Sequence, residues 1–395
     1  MSPLIASPEI SSDGRTARVV FNQRFSPLEW HIAKRFGPSF KTDGSANFAL
    51  LAAVPYAMAC GKDLHIKGAV CPILLGNMER LVHNRVAFHS PNFRHIRISA
   101  DSMMDIEIYE PSKPHIAAYS GGIDSTYAIA KNMMDKTLAM YRPIGASLTI
   151  SDFGFGEGDA LDFKKAMSKG ASLGKLFGFE NYAIQCNLSK LAKEEWGIKG
   201  FSPHVNSHPM FIASCLSLFS GRFAGAIFAT DIFYPDENVQ LNWSSNSSVH
   251  ALLSSSGYHL NVFGGEASRS DKIVFLNEKD LLKGVIICAF SKRSEFADNN
   301  CGQCKKCRQN IVYCYSLDID PHQLFAKVPR LDELFAEGFS DFGYIIEAKS
   351  LLQHWSSRDH ETARLKLWER TRQRQLEKNR RQMNTMRNRI KKMGE

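Results

Sequence analysis

The sequence lacks any apolar run long enough to cross a bilayer. Its longest, Phe48 to Cys60, is interrupted by Pro55 and falls short of the roughly 20 residues that a spanning helix needs, so no membrane partner is expected. It also lacks an export leader: the chain opens Met1-Ser2-Pro3-Leu4, with neither a basic nor an apolar leader region, which predicts a cytoplasmic protein whose thiols stay reduced. Internal repeats and long low-complexity runs are absent too. Most of the chain even lacks net charge. Of the formal +9, the segment from Arg358 to Glu395 carries +8 (13 Lys/Arg against 5 Asp/Glu), leaving about +1 for everything before it. A polyanion-binding surface spread over the body is thereby excluded, and any nucleic-acid or acidic-protein contact is expected in the tail at 358–395. A solvated helical face is the plain alternative for that tail.

What is present is ordinary globular composition, 44% hydrophobic and 23% charged, in 395 residues, enough for two or three domains. The pattern predicts a small α/β domain over 1–112, with Ala17–Phe21 and Leu64–Ile66 extended and Ala46–Cys60 helical. From His115 onward, apolar strands alternate with helical stretches, which predicts βαβ units and a parallel sheet. Its strands are expected at 115–119, 146–151, 182–186, 225–230 and 259–263, closing a domain at 113–315. Residues 316–395 read as a helical extension, punctuated by Pro321 and Pro329, with a thin apolar stripe running from Leu365 to Met393.

Between the first of those strands and a helix-like run lies Tyr119-Ser120-Gly121-Gly122-Ile123-Asp124-Ser125-Thr126. Two glycines let the backbone turn sharply and expose its N–H groups, and the small hydroxyl residues add donors without filling the space. The helix that follows would aim its unpaired amides and dipole at a bound phosphate. Asp124 would repel phosphate directly, so magnesium or a donor is expected between them. An ordinary Gly-Gly turn capped by Asp124 or Ser125 is the bland alternative. Gly170 to Leu176 lacks the spacing of a Walker loop, and Gly154-Phe155-Gly156-Glu157-Gly158 lacks that of a dinucleotide fingerprint.

Four of nine cysteines fall at Cys288, Cys301, Cys304 and Cys307, with Gly302 inside the knuckle. In a reducing compartment four thiolates suit tetrahedral zinc and leave no open position, so the expected role is structural; an iron–sulfur cluster and four unligated cysteines are the alternatives.

Ser-Gly-Gly-x-Asp-Ser after the first strand resembles the signature of the PP-loop (ATP pyrophosphatase) superfamily. Together with Cys…Cys-Gly-x-Cys-x-x-Cys it is similar to the 7-cyano-7-deazaguanine synthase, or QueC, family. Tyr234-Pro235-Asp236, Asn206 with Phe211-Ile212-Ala213-Ser214, and Lys272 in Ser270-Asp271-Lys272-Ile273 are shorter echoes of it. The resemblance covers about 113–315. It implies an adenine nucleotide alpha-hydrolase-like (HUP) five-stranded parallel sheet with helices on both faces. It also implies an ATP-dependent ligase that adenylates a carboxylate or amide and releases pyrophosphate, forming an amide, nitrile or related bond. ATP, Mg2+ and Zn2+ are the implied cofactors. Ser120, Gly121, Gly122, Asp124, Ser125 and Thr126 carry over to the nucleotide, and Asp124, Ser125 and Lys272 to catalysis. Asp152 and Asp231 end strands at the ligand rim of such a sheet, and His204 and His208 would face a substrate if helical, although Pro209 argues against that.

Glu237-Asn238 departs from the family's Cys-Arg, which leaves the substrate open. The additional domain and tail resemble QueC-like proteins of antiphage systems (Qat, type IV CBASS), which implies a protein or nucleotide substrate and an operon-encoded partner. The alternative is a degenerate nucleotide-sensing scaffold that binds nucleic acid or an acidic protein through its tail.

Overall fold

The computed structural model describes residues 2–23, 26–89, 93–152, 160–198, 201–237, 245–287, 300–330 and 333–334, with single positions between 373 and 385. They fall into two units. The first comprises Met1–Asp231, Asn242–Gly264 and Gly284–Ile286; the second comprises Ile232–Leu241, Gly265–Lys283 and Ile287–Glu395.

The first unit is built on one sheet of β1 (Leu4–Ile10), β2 (Thr16–Phe21), β3 (Leu28–His31), β4 (Leu64–Val70), β5 (Ile98–Met103), β6 (His115–Ala118), β7 (Ile144–Ser151), β8 (Glu180–Cys186), β9 (Gly225–Ala229) and β10 (His259–Phe263). Their order is β10-β9-β6-β7-β8-β3-β2-β1-β4-β5. The last five in chain order are the strands expected from the sequence, and all their pairings with one another are parallel. Numbered from β6, they run 3-2-1-4-5, the order of a doubly wound sheet. His115, Ile116 and Ala117 are all buried, as strands covered on both faces must be.

The expectation of a five-stranded sheet is corrected: the sheet has ten strands, and those of residues 1–112 continue it. The join is β3 against β8, antiparallel, with Trp30 opposite Cys186 and His31 opposite Gln185. Without it, β8 would present a bare hydrogen-bonding edge. Trp30 seals the seam, buried with its indole N–H on the Cys215 sulfur at 3.2 Å. Beside it, Ser189 and Asn187 begin a helix, and Asn187 binds the β3 side twice, accepting from Glu29 N and donating to Pro27 O. One hydrophobic core runs from Leu4 in β1 to Leu260 in β10.

The longer helices of this unit are α1 (Asn47–Cys60), α2 (Pro72–His89), α3 (Ile123–Met134), α4 (Ala160–Phe177), α5 (Leu188–Glu194) and α6 (His208–Ser217). The longest apolar run, expected to be helical, is α1, buried at every position from Asn47 to Met58. It ends at Gly61 in the left-handed region (φ 66), whose N–H bonds back to Met58 O. The Ser214 hydroxyl of α6 donates to Phe48 O at 2.7 Å, tying the two helices together. Among the described residues, no helix is long and apolar enough to cross a membrane.

The second unit holds α7 (Arg269–Glu278), started by a reciprocal Ser268–Asp271 capping box, and α8 (Lys305–Ser316). Asn300 joins two strands of chain, accepting from Ile287 N at 2.7 Å and donating to Leu324 O. Past Cys314 the sequence predicted further helix; in 317–330 the structure has a 3-10 turn, Pro321–Gln323, capped by Asp320. Asp318 takes a positive φ of 53° that breaks the helix after α8. Most of the tail lies outside the described residues.

Candidate functional site

Ser120 to Ser125 form the turn from the central strand β6 into α3. Gly121 has φ +77°, a conformation that residues with a side chain adopt at a cost, and a Cβ there would lie 2.8 Å from the Ile286 side chain. Gly122 is the N-cap of α3 in extended conformation, and as a glycine it brings no side chain to cap that terminus. The hydroxyls organise the turn internally. Ser125 Oγ accepts from Ser120 N at 3.3 Å, donates to Gly122 O at 3.2 Å and lies 3.2 Å from Ser120 Oγ. Thr126 is turned away: its buried hydroxyl bonds back to Gly122 O at 2.8 Å. It also neighbours Tyr119, whose phenol burial pushes up to about 12.

A cavity of about 190 Å³ opens beside this turn at the carboxyl ends of β6, β7 and β9. Because the chain leaves β6 toward β7 on one side and returns with β9 on the other, this is the crevice where open α/β sheets bind ligands. Its apolar wall is made by Ala118, Leu148, Ile150, Ile212, Phe228 and Ala229; its polar wall by Ser120, Asp124, Ser125, His208, Asp231 and Ser245. A flat aromatic ring with a charged tail matches that division better than a wholly polar ligand.

The expected residues Ser120, Asp124, Ser125 and Asp231 thus converge on one space. His208 joins them. Pro209 does not prevent this, because it occupies the first turn of α6, where its missing N–H would be unsatisfied anyway. Burial, then the neighbouring His204, pulls His208 down to about 3, so its imidazole is neutral, with Nδ1–H donating to His204 O at 2.7 Å. Ser245 was not foreseen. Its hydroxyl lies 3.0 Å from Nε2 of the buried His250, whose Nδ1 has no hydrogen-bond partner among the described residues. Nothing in the sequence around Ser245 distinguishes it from other serines.

Asp152 is placed elsewhere. Both its oxygens accept from Ser189 N, at 3.2 and 3.0 Å, so it anchors the start of α5. Burial raises its carboxyl to about 6. Lys272 belongs to the second unit, on α7, and is buried. Asp236, by contrast, has a side chain outside the described residues.

No protein-family model matches the chain, and no curated protein matches its sequence.

In the second unit Cys301, Cys304 and Cys307 bring their sulfurs within 4.8 Å of one another, a cluster that could hold a metal ion. Cys288 lies outside the described residues. Cys301 and Cys307 sulfurs are 3.8 Å apart, the edge of a tetrahedron with metal–sulfur bonds of about 2.3 Å. Gln303 and Cys304 amides donate to Cys301 Sγ at 3.4 and 3.3 Å, which fixes the direction of that sulfur. Cys304 is the N-cap of α8 and Cys307 is in its first turn, so the start of one helix positions both. Gly302 has φ +73° and its missing Cβ would fall 1.6 Å from Lys327 O, so the knuckle tolerates no side chain there.

Proposed function

We propose that this chain is a PP-loop enzyme of the HUP type, similar to the QueC family, which uses ATP to adenylate a carboxylate or amide oxygen and releases pyrophosphate. The observation that carries this reading is the uncapped N-terminus of α3, reached through the Ser120–Ser125 turn from the central strand of a 3-2-1-4-5 parallel sheet, beside a cavity walled by two carboxylates. A phosphate chain fits this turn, since Gly122 at the N-cap offers α3 no capping side chain and the dipole favours negative charge there. Asp124 and Asp231 would hold magnesium, which supplies charge neutralisation at the phosphates. The apolar wall would take the adenine. Adenylation leaves pyrophosphate as a good leaving group, and the turn's amides stabilise the charge that develops on it.

For the cysteines we propose structural zinc, with Cys288 as fourth ligand. Sulfurs as close as 3.8 Å suit one ion, whereas a cubane cluster would hold them farther apart. A protein partner or an antiviral role rests on the resemblance alone. The test is incubation with magnesium and ATP labelled in the α and γ phosphates, alone and with candidate acceptors. AMP and pyrophosphate as products support the reading; ADP and phosphate, or no nucleotide binding, overturn it.

A further inference from the structure

We propose that His83 and His95 form a second metal site, on the first unit, for a borderline divalent ion such as Zn2+. His83 projects from α2, and His95 from the connection between α2 and β5. Their Nε2 atoms lie 3.2 Å apart, with the rings 4.4 Å between centroids and inclined at 58°. Two imidazoles on one tetrahedral ion, with metal–nitrogen bonds of about 2.05 Å, place their nitrogens about 3.3 Å apart. The same edge geometry that marks the cysteine knuckle therefore recurs here with nitrogen donors. In the absence of metal, one ring can donate its N–H to the other, which keeps the pair closed.

The backbone on both sides is fixed, so the pair is preorganised. His83 follows buried Leu81 and Val82, and His95 stands between buried Phe93 and Ile96. Its neighbours are pinned by Arg94 N to Met58 O at 2.9 Å and Arg97 N to Asp63 Oδ1 at 2.8 Å. Both imidazoles are exposed, so an ion can enter and water can complete its shell. Glu79 sits one turn before His83 on the same helix face, within reach of a further position after a rotamer change. Two neutral nitrogens select Zn2+, Ni2+ or Cu2+ over Mg2+ and Ca2+, which prefer oxygen. With two protein ligands, and with Arg80 and Arg94 close in sequence, the affinity is expected in the micromolar range, far weaker than a four-thiolate site.

The test uses the full chain with its knuckle loaded, titrated with zinc chloride in a buffer free of chelators, with and without excess magnesium. Wild type should take one zinc beyond the knuckle's, unaffected by magnesium, and its thermal midpoint should rise with added zinc. His83→Ala and His95→Ala should each lose that binding by tenfold or more, with unchanged circular dichroism before zinc is added. His65→Ala, which removes a half-buried histidine paired with Asp101, should behave as wild type. No additional zinc in the wild type, or full binding retained in both His83→Ala and His95→Ala, would overturn the proposal. Neither outcome depends on the nucleotide reading.

Discussion

The amide of Ile286 donates a 2.7 Å hydrogen bond to the carbonyl of Gly121. The turn between β6 and α3 is thus held from outside by a segment 165 residues further along the chain, while its inner bonds come from Ser120 and Ser125. The bond consumes a carbonyl of the turn, and the helix N-terminus that follows at Ile123 favours an anion.

Gly121→Ala tests that geometry. The positive φ costs about 1 kcal/mol for alanine, and the added methyl meets the Ile286 side chain. The end of that isoleucine can shift, so the variant should fold with a slightly lower thermal midpoint. Its affinity for magnesium ATP, measured by calorimetry, should fall at least tenfold, because the shift re-aims the turn.

Gly302→Ala should be far more damaging to the second unit. The methyl would collide with the Lys327 backbone carbonyl, which has no rotamer to give. Metal analysis should find the bound ion lost or reduced to well under one per chain. Cys301→Ser should produce the same loss by replacing the thiolate with a hydroxyl, a poor ligand for zinc.

Three buried histidines predict acid lability. Burial is the main cause in each case, pulling His115 to about 4 and His208 and His250 to about 3. A histidine whose folded pKa is depressed contributes stability that is complete above its unfolded value of about 6.5 and is lost as pH falls through that window. The thermal midpoint should therefore drop between pH 7 and pH 5. His250→Gln should flatten that drop relative to wild type in a pH series of melts.

Asp152 slopes the other way. Its folded pKa is raised to about 6 by burial, so its ionisation weakens the fold as pH rises through 6, and its full contribution is present only below the unfolded value of about 3.9. Asp152→Asn keeps an acceptor for Ser189 N and removes the buried charge. The variant should be more stable at pH 8, by on the order of 2 kcal/mol, and unchanged near pH 4. Unaltered ATP affinity in the same variant would separate this anchoring role from nucleotide contact.

Five parallel strands, the turn at Ser120–Ser125 and the cysteine knuckle were all legible because each is written in consecutive residues. Apolar runs of strand length, a pair of glycines before a helix and a C-x2-C-x2-C spacing carry their physics locally. Pairing of β3 with β8 had no such mark: four residues, Leu28–His31, carry little pattern, and their partner lies more than 150 positions away. The predicted five strands were consequently half of the sheet.

By itself, then, the amino-acid order determined which backbone could turn, where a helix would start without a capping side chain, and which sulfurs could share an ion. Only tertiary structure decided that Asp231, His208 and Ser245 would meet Asp124 across one cavity, that Thr126 and Asp152 would spend their oxygens on the protein's own amides and carbonyls, and that Lys272 would be buried. The reason is range. Steric and hydrogen-bonding preferences of a short peptide act within a few residues, whereas convergence of side chains from separate strands follows from how the whole sheet closes over its core.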